Sequence, residues 1–400
     1  MAIVAQPHAV VRTGRPTGYA GLREGAGRYA DAGVYGGFAV FAGVTAGVSG
    51  LETHRVWGQI AAVAYGLGAL LVLLPAGRRC RGAVAGAVFA GAVLLPLAFL
   101  VGTGQAQPEV GVVERSGQHL MEYGTPYLGP AELAESADYT AYNPYLPGMA
   151  LFGAWGVDAR LVFGGVFLAA LAGAGVVLRG RVEVRPLVLS AASPLVALPL
   201  AVGGDDLPVI GLACLGLALA VRRPGAAGLV LGAAATLKAT AWPALAVCLV
   251  LVAARRRTDL PVFVGAAAGV VASGVLLPAL VDPAGMWANA VRFPLGLADV
   301  ASPAGSPLPG HLIAGLGPYG HAAAVAALVG AAVAMGIWLV VRPPRSVSDA
   351  AMRLAFGLLL AALLMPATRW GYLVYPALLA LWARTAGVPH REEAQPCAAV

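Results

Sequence analysis

Long apolar runs separated by short polar intervals fill most of this chain. The runs fall at residues 32–50, 57–76, 82–102, 160–178, 186–202, 207–221, 226–253, 260–281, 311–341 and 350–383. Runs of about 20 apolar residues are typical of helices that cross a lipid bilayer. The pattern therefore predicts an all-α, polytopic helical membrane protein.

Two of the runs carry polar residues in their middle. Lys238 interrupts the run 226–253, and Thr368 and Arg369 interrupt the run 350–383. Arginines flank both runs, and basic residues favour the cytoplasmic side of a membrane. Each run is therefore predicted to be a pair of short helices whose polar tip faces outward. Counting these pairs gives about 12 transmembrane helices, with both termini cytoplasmic. A single span over 226–253 would instead place the arginines after it outside.

The same pattern divides the chain into three parts. Residues 1–30 are polar and bear arginines, so we expect a disordered cytoplasmic tail without the apolar core of a signal peptide. Residues 31–385 form the predicted transmembrane domain, and residues 386–400 form a second cytoplasmic tail. The predicted location is the plasma membrane.

The amino-acid composition also indicates a membrane protein and excludes several functional classes. Hydrophobic residues make up 59% of the chain and charged residues 11%, whereas soluble domains have about 25% charged residues. The net charge of +7 is dispersed between apolar runs, which argues against a nucleic-acid partner. The four cysteines are widely spaced, and no phosphate-cradling glycine motif is present. No cofactor is predicted, and a divalent metal is conceivable but not indicated.

The longest polar interval is predicted to hold the reaction centre. Residues 105–157 form a long first extracytoplasmic loop in the predicted layout, and long loops between membrane spans are usually functional. Glu109 lies just past the third apolar run, where a partly desolvated carboxylate suits general-base work. The alternative is an ordinary loop acid. Glu114 is expected to pair with Arg115, and the segment 146–156 to form a short helix along the outer membrane face.

Charged residues beside other apolar runs are further candidates. Lys238 is the only lysine in the chain, and an ionisable residue within an apolar run is usually functional. The alternative is a lysine that snorkels from a helix end. The same argument applies less strongly to Arg369, which lies at the tip of the last predicted helix pair. Asp205 and Asp206 either bind a metal ion or a sugar hydroxyl, or cap the helix that follows; both interpretations stay open.

Several motifs, in this order, resemble those of a known family. The loop contains Gly124-Thr125-Pro126-Tyr127 and closes on Tyr142-Asn143-Pro144-Tyr145-Leu146-Pro147. Downstream lie Ser193-Pro194-Leu195, Gly204-Asp205-Asp206, and Ala227-Gly228-Leu229-Val230-Leu231-Gly232 leading to Leu237-Lys238. This order resembles the GT-C superfamily of integral-membrane glycosyltransferases. Within it, the chain is most similar to the actinobacterial polyprenyl-phosphate-mannose-dependent mannosyltransferases.

The resemblance implies a GT-C-like fold and a transfer reaction at the outer membrane face. A sugar, with mannose favoured, would move from a polyprenyl-phosphate donor to a lipid or glycan acceptor, and membrane lipids would be the other partners. Glu109 would be the general base. The candidate substrate-binding residues are Lys238, Arg369, Asp205, Asp206, Tyr127, Tyr142, Asn143 and Arg160.

Two other functional classes fit the same pattern. A multi-span transporter or lipid flippase also has broken helices, although no internal repeat of the kind common in transporters is visible in this sequence. A catalytically inactive membrane scaffold is the third hypothesis.

Overall fold

A computed structural model describes residues 18–386, apart from 137 and 183. Within these residues the chain is helical and has no strand; an isolated bridge joins Gly305 and Thr368. The predicted all-α class is therefore confirmed for the described part of the chain. The first helix begins at Gly18, before the predicted boundary at residue 30. The rest of the two predicted tails, residues 1–17 and 387–400, lies outside the described residues.

The longer helices are numbered α1 to α14 in chain order. They are α1 (Gly18–Val48), α2 (Glu52–Leu73), α3 (Arg81–Gly102), α4 (Pro108–Tyr123), α5 (Ala159–Arg179), α6 (Val184–Ala191), α7 (Pro194–Val202), α8 (Leu207–Leu219), α9 (Pro224–Leu237), α10 (Trp242–Arg255), α11 (Arg257–Val281), α12 (Pro318–Val341), α13 (Val347–Leu364) and α14 (Val374–Ala386). Shorter helices are Pro75–Arg79, Pro130–Glu135, Tyr139–Ala141, Pro147–Phe152, Ala239–Ala241, Pro283–Met286, Trp287–Arg292, Pro309–Ala314 and Trp370–Leu373.

Among the described residues, seven helices are long and apolar enough to cross a membrane. They are Tyr29–Val48 within α1, together with α2, α3, α5, α11, α12 and α13. Three shorter apolar segments, Leu207–Leu219, Pro224–Leu237 and Ala239–Arg255, accompany them. These helices make the chain a membrane protein. The larger number of about 12 spans stays a prediction, because it counts paired shorter helices as spans.

Both internally charged runs break where the sequence predicts. Helix α9 ends before Lys238, whose backbone is extended, and α10 begins at Trp242 with Pro243 in its first turn. Proline suits a first turn because the amide hydrogen that it lacks has no partner there. Helix α13 ends before Met365, and the following Pro366 disfavours helical backbone at that residue.

The loop of residues 105–157, which is predicted to be extracytoplasmic and is called the outer loop below, contains a helix that the sequence analysis did not predict. Helix α4 turns one face inward, where Val110, Val113 and Gly117 are buried. A Cβ atom on Gly117 would lie 2.3 Å from the carbonyl carbon of Gly153, so only glycine permits this approach. The loop is therefore folded onto itself around α4.

The segment that closes the loop forms a short helix that buries one face. The sequence predicts that residues 146–156 lie along the outer membrane face; the 3-10 helix Pro147–Phe152 packs against α4 and α9, while Leu151 and Trp155 are exposed. Met149 and Ala150 are fully buried. The Leu146 amide also donates a 3.1 Å hydrogen bond to the Leu237 carbonyl at the end of α9. The loop therefore docks onto the break next to Lys238, and its position along the membrane face stays a prediction.

Helix α8 lies at the centre of the bundle. It is buried on nearly all sides and contacts α5, α9, α13 and α14. Large buried side chains such as Phe167 of α5, Ile210 of α8 and Leu231 of α9 fill the space between these helices. The first turn of α8 follows directly on Asp206, so the acidic pair is held at the middle of the fold.

Candidate active site

The acidic pair and the single lysine form one cluster. The Lys238 ammonium nitrogen lies 2.9 Å from Oδ1 of Asp205 and 2.5 Å from Oδ1 of Asp206. Burial lowers the pKa of Lys238, but the carboxylates of Asp205 and Asp206 raise it by more, so the net shift is upward and the lysine is charged. We call these three residues the buried triad.

Helix ends support the charges of the buried triad. Lys238 follows the last residue of α9, and Asp206 precedes the first residue of α8. Carbonyl groups at a helix C-terminus favour a cation, and amide groups at an N-terminus favour an anion. Asp206 makes no side-chain capping bond, because its Oδ1 faces Lys238 instead. The described residues contain no group of three or more potential ligands placed to hold a metal ion.

Helix α14 closes the other side of the buried triad. The Tyr375 hydroxyl donates a 2.8 Å hydrogen bond to Oδ1 of Asp206. Its oxygen lies 2.7 Å from the Thr240 hydroxyl. Because the tyrosine proton is already given to Asp206, Thr240 donates to the tyrosine oxygen. The chain from Thr240 to Tyr375 to Asp206 fixes this carboxylate in one orientation.

A second ion pair lies at the same end of the bundle. Nη1 of Arg369 contacts Oε1 of Glu109. Glu109 is in the first turn of α4, where the helix amides favour its negative charge. The two side chains are 35% and 20% exposed, against 12%, 8% and 15% in the buried triad. We call Glu109 and Arg369 the open pair, since solvent and ligands reach it more readily.

The backbone before Arg369 is fixed by a neighbouring loop. The Thr368 amide donates to the Ala304 carbonyl at 3.0 Å, and the Ser306 amide donates to the Thr368 carbonyl at 2.9 Å. The Thr368 hydroxyl donates to the Ala362 carbonyl at 2.8 Å. These hydrogen bonds fix the backbone just before Arg369. Its long side chain can still change partner.

A buried tyrosine joins the two clusters. The Tyr145 ring centroid lies 5.0 Å from the Lys238 ammonium. Burial raises the pKa of Tyr145 well above its usual value, and the carboxylates of Asp205 and Glu109 raise it further. Asp205 belongs to the buried triad and Glu109 to the open pair, so the phenol lies within electrostatic range of both carboxylates. Tyr145 therefore borders both clusters.

A family comparison matches the part of the chain that holds the buried triad. A model of glycosyltransferase family 87 matches residues 142–366, which is more than half of the chain. The chain belongs to glycosyltransferase family 87. No curated protein and no solved structure matches it. The predicted class of membrane glycosyltransferase is confirmed. The matched segment of this family 87 protein includes the buried triad, whereas Glu109 precedes it and Arg369 follows it.

Two loop residues of this glycosyltransferase support Tyr145. The Tyr127 hydroxyl donates to the Tyr145 carbonyl at 2.8 Å. The Tyr145 amide donates to the side-chain oxygen of Asn143 at 3.1 Å. Both residues are buried, so they shape the turn that carries Tyr145. A direct contact of either residue with substrate stays a prediction.

The other two predicted binding residues have their partners outside both clusters. Tyr142 stacks on Phe293, with ring centroids 4.6 Å apart. Arg160 is 2% exposed, pairs with Asp158 at 2.7 Å and donates to the Gln105 carbonyl at 2.6 Å. Burial raises the pKa of Asp158, but its hydrogen bonds with Arg160 lower it by more, so the net shift is downward. Arg160 thus joins the beginning and end of the outer loop, and substrate binding by it or by Tyr142 stays a prediction.

Glu114 has a structural partner, but not the expected one. The Ala159 amide donates to its Oε1 at 3.1 Å, at the start of α5. Arg115 instead donates to the Thr140 carbonyl at 2.6 Å. The expected ion pair between these neighbours is not formed because they point in different directions from α4.

The family 87 site also depends on a residue that the sequence analysis missed. Asn289 is fully buried. Its oxygen accepts a 2.9 Å hydrogen bond from the Asn143 amide, and its nitrogen donates to the carbonyls of Leu128 and Gly285, both at 2.9 Å. A lone asparagine in a loop carries no sequence signal of this kind. Tyr145 belongs to the closing motif that the sequence analysis quoted. An aromatic residue in a loop rich in acidic residues was the available signal for its role.

Proposed function

We propose that this glycosyltransferase moves a sugar, with mannose favoured, from a polyprenyl-phosphate donor to a lipid or glycan acceptor at the outer membrane face. The observation that carries the proposal is the contact of the Lys238 ammonium with the Tyr145 ring, within electrostatic range of the ion pair between Glu109 and Arg369. One carboxylate to take a proton and two cations to hold a phosphate are what this transfer requires. The flanking arginines of the broken helices support the outward orientation.

The chemical step is a direct displacement. Glu109 takes the proton of an acceptor hydroxyl, whose oxygen forms a bond to the anomeric carbon of the donor sugar. The bond between that carbon and the phosphate oxygen breaks, and polyprenyl phosphate leaves with the bonding electrons. Lys238 stabilises the negative charge that develops on the phosphate.

Arg369 has a separate task in this proposal. It neutralises Glu109 in the structure, and its side chain is more exposed than that of Lys238. An arriving phosphate therefore meets Arg369 first and offers it a bidentate anionic partner. Exchange of Glu109 for phosphate frees the carboxylate to act as base only after the donor is bound.

The test is transfer by the purified full chain in proteoliposomes. Labelled polyprenyl-phosphate mannose is the donor, and a membrane lipid and glycan extract supplies acceptors. We expect label in an acceptor product together with free polyprenyl phosphate, and much less product with polyprenyl-phosphate glucose. Glu109→Gln should abolish the product, whereas Glu122→Gln, an exposed acid on the same helix, should not.

Two outcomes would contradict the proposal. Passage of intact donor across the bilayer without product would favour the flippase hypothesis. Neither passage nor product, across all donors and acceptors supplied, would favour the inactive scaffold.

A further inference from the structure

An arginine-lined cleft lies at the end of the bundle opposite the candidate active site. It has a volume of about 740 Å³ and is lined by Arg255, Arg342, Arg345, Asp349 and Arg353, among others. Helix α13 begins at this cleft and ends near Arg369 after 18 residues, a length of about 27 Å. The cleft is therefore separate from the site described above.

One arginine of the cleft is already neutralised. Nε of Arg353 lies 2.8 Å from Oδ1 of Asp349. The guanidinium also stacks over the Trp338 ring, 4.7 Å from its centroid, and donates to the Arg342 carbonyl. Arg353 thus forms a fixed wall of the cleft.

The guanidinium groups of the other three arginines form no ion pair with a carboxylate among the described residues, although the Arg345 backbone amide donates to Oδ2 of Asp349 at 2.9 Å. Arg255 donates to the Arg345 carbonyl at 3.2 Å. The side chains of Arg342 and Arg345 make no hydrogen bond to any described residue and are exposed. Each guanidinium offers five N–H donors in a planar fork. The cleft thus concentrates positive charge and guanidinium N–H donors that have no partner in the described part of the chain, an arrangement that favours an anionic ligand.

The surroundings of the cleft indicate a lipid. Val340 and Val341, at the end of α12, are 72% and 70% exposed beside Arg342. In a membrane protein such side chains contact acyl chains, and arginines at helix ends lie at the level of the headgroups. Basic pockets between transmembrane helices bind anionic lipid headgroups. A free phosphate ion would use the arginines but not the adjoining apolar surface.

We propose that this cleft is a binding site for an anionic phospholipid, with Arg342 and Arg345 holding its phosphate. The site is independent of the proposed sugar transfer, since it uses neither Lys238 nor the open pair. It gives one lipid a defined position where the ends of α10, α12 and α13 meet.

The test is a lipid titration of the delipidated full chain in neutral detergent, followed by native mass spectrometry. Phosphatidylglycerol is compared with phosphatidylcholine of the same acyl chains. The variant Arg342→Gln/Arg345→Gln is compared with Arg256→Gln/Arg257→Gln, which removes the same charge from exposed neighbours that do not line the cleft. Each arginine contributes about 1 kcal/mol to anionic lipid binding, so we expect about thirtyfold weaker phosphatidylglycerol binding in the cleft variant alone.

Other results would overturn the proposal. Equal losses in the two variants would mean diffuse attraction, and equal binding of the two lipids would mean apolar contact only. Displacement of phosphatidylglycerol by millimolar inorganic phosphate would make the site one for a free anion. If the glutamine variant does not fold, Arg342→Lys/Arg345→Lys tests the same point. It keeps the charge but lacks the bidentate fork, so wild-type affinity in this variant would contradict recognition of phosphate by the fork.

Discussion

The buried triad and the open pair both place charged side chains at one end of a membrane protein, but they differ in how exposed those side chains are. In the triad, one lysine faces two carboxylates that are nearly inaccessible, with helix ends on both sides. In the pair, a long arginine side chain reaches a carboxylate that remains partly exposed. The comparison teaches that the triad is a fixed part of the fold, whereas the pair is arranged to exchange partners.

Magnitudes support that distinction. Removing one partner of a buried ion pair costs about 3–5 kcal/mol, because the remaining charge is left unpaired in a dry site. Exposed ion pairs contribute only about 1 kcal/mol or less. Variants that remove a charge from the triad should therefore disturb folding as well as donor use, whereas variants in the pair should disturb chemistry alone.

The largest expected effect is on the open pair. Glu109→Gln keeps the shape of the side chain but cannot take a proton, so transfer should fall about 100- to 10,000-fold. Thermal unfolding in detergent should change little. Near-normal turnover in this variant, with a large loss in Asp205→Asn, would move the base to the triad and reverse the comparison.

The next effect is on the stability of the triad. Lys238→Met leaves Asp205 and Asp206 facing each other without a cation, and we expect a loss of about 3–5 kcal/mol in the free energy of unfolding. The triple variant Asp205→Asn/Asp206→Asn/Lys238→Met removes all three charges and should recover most of that loss. Equal stability of the single and triple variants would show that the triad is not an electrostatic unit.

A smaller effect is expected at the residue that supports the turn between the clusters. Asn289→Ala removes the partner of the Asn143 amide and of two carbonyls in a buried place, and we expect a loss of about 1–3 kcal/mol in the free energy of unfolding. Proteolysis of the outer loop should accelerate. Arg292→Ala, an exposed neighbour that donates only to the Leu297 carbonyl, is the control and should not change the cleavage rate.

The smallest effect sharpens the role of the lysine. Lys238→Arg keeps the positive charge but replaces a compact ammonium by a wide fork beside the Tyr145 ring. Folding should be retained, and donor use should fall about tenfold, equivalent to about 1.4 kcal/mol. Full activity in Lys238→Arg, with unchanged donor affinity in Lys238→Met, would reduce Lys238 to a structural cation.

The sequence predicted the features that depend on local physical chemistry. Run length identified the helical membrane class, and Lys238 and Pro366 marked the two helix breaks. Glu109 was placed just past the third apolar run, and α3 ends shortly before it. Each of these depends on a residue and its immediate neighbours.

The features that the sequence did not predict depend on distant partners. Arg369 lies 260 residues after Glu109, and no spacing rule relates such positions. Helix α4 was missed because its polar residues made the segment look like loop, although Val110, Val113 and Gly117 recur at helical spacing. The buried position of residues 147–150 depends on the close approach of Gly117 and Gly153, which neither glycine signals alone.

The hydrogen bond between Asn143 and Asn289 also orders events during synthesis. The two residues are 146 positions apart, and chains grow at about 5–20 residues per second, so the first waits about 7 to 30 seconds for the second. During that interval the outer loop lacks its partner, and Tyr145 lacks the support that passes through Asn143. The nascent enzyme therefore lacks this support until Asn289, which follows the end of α11, has been made.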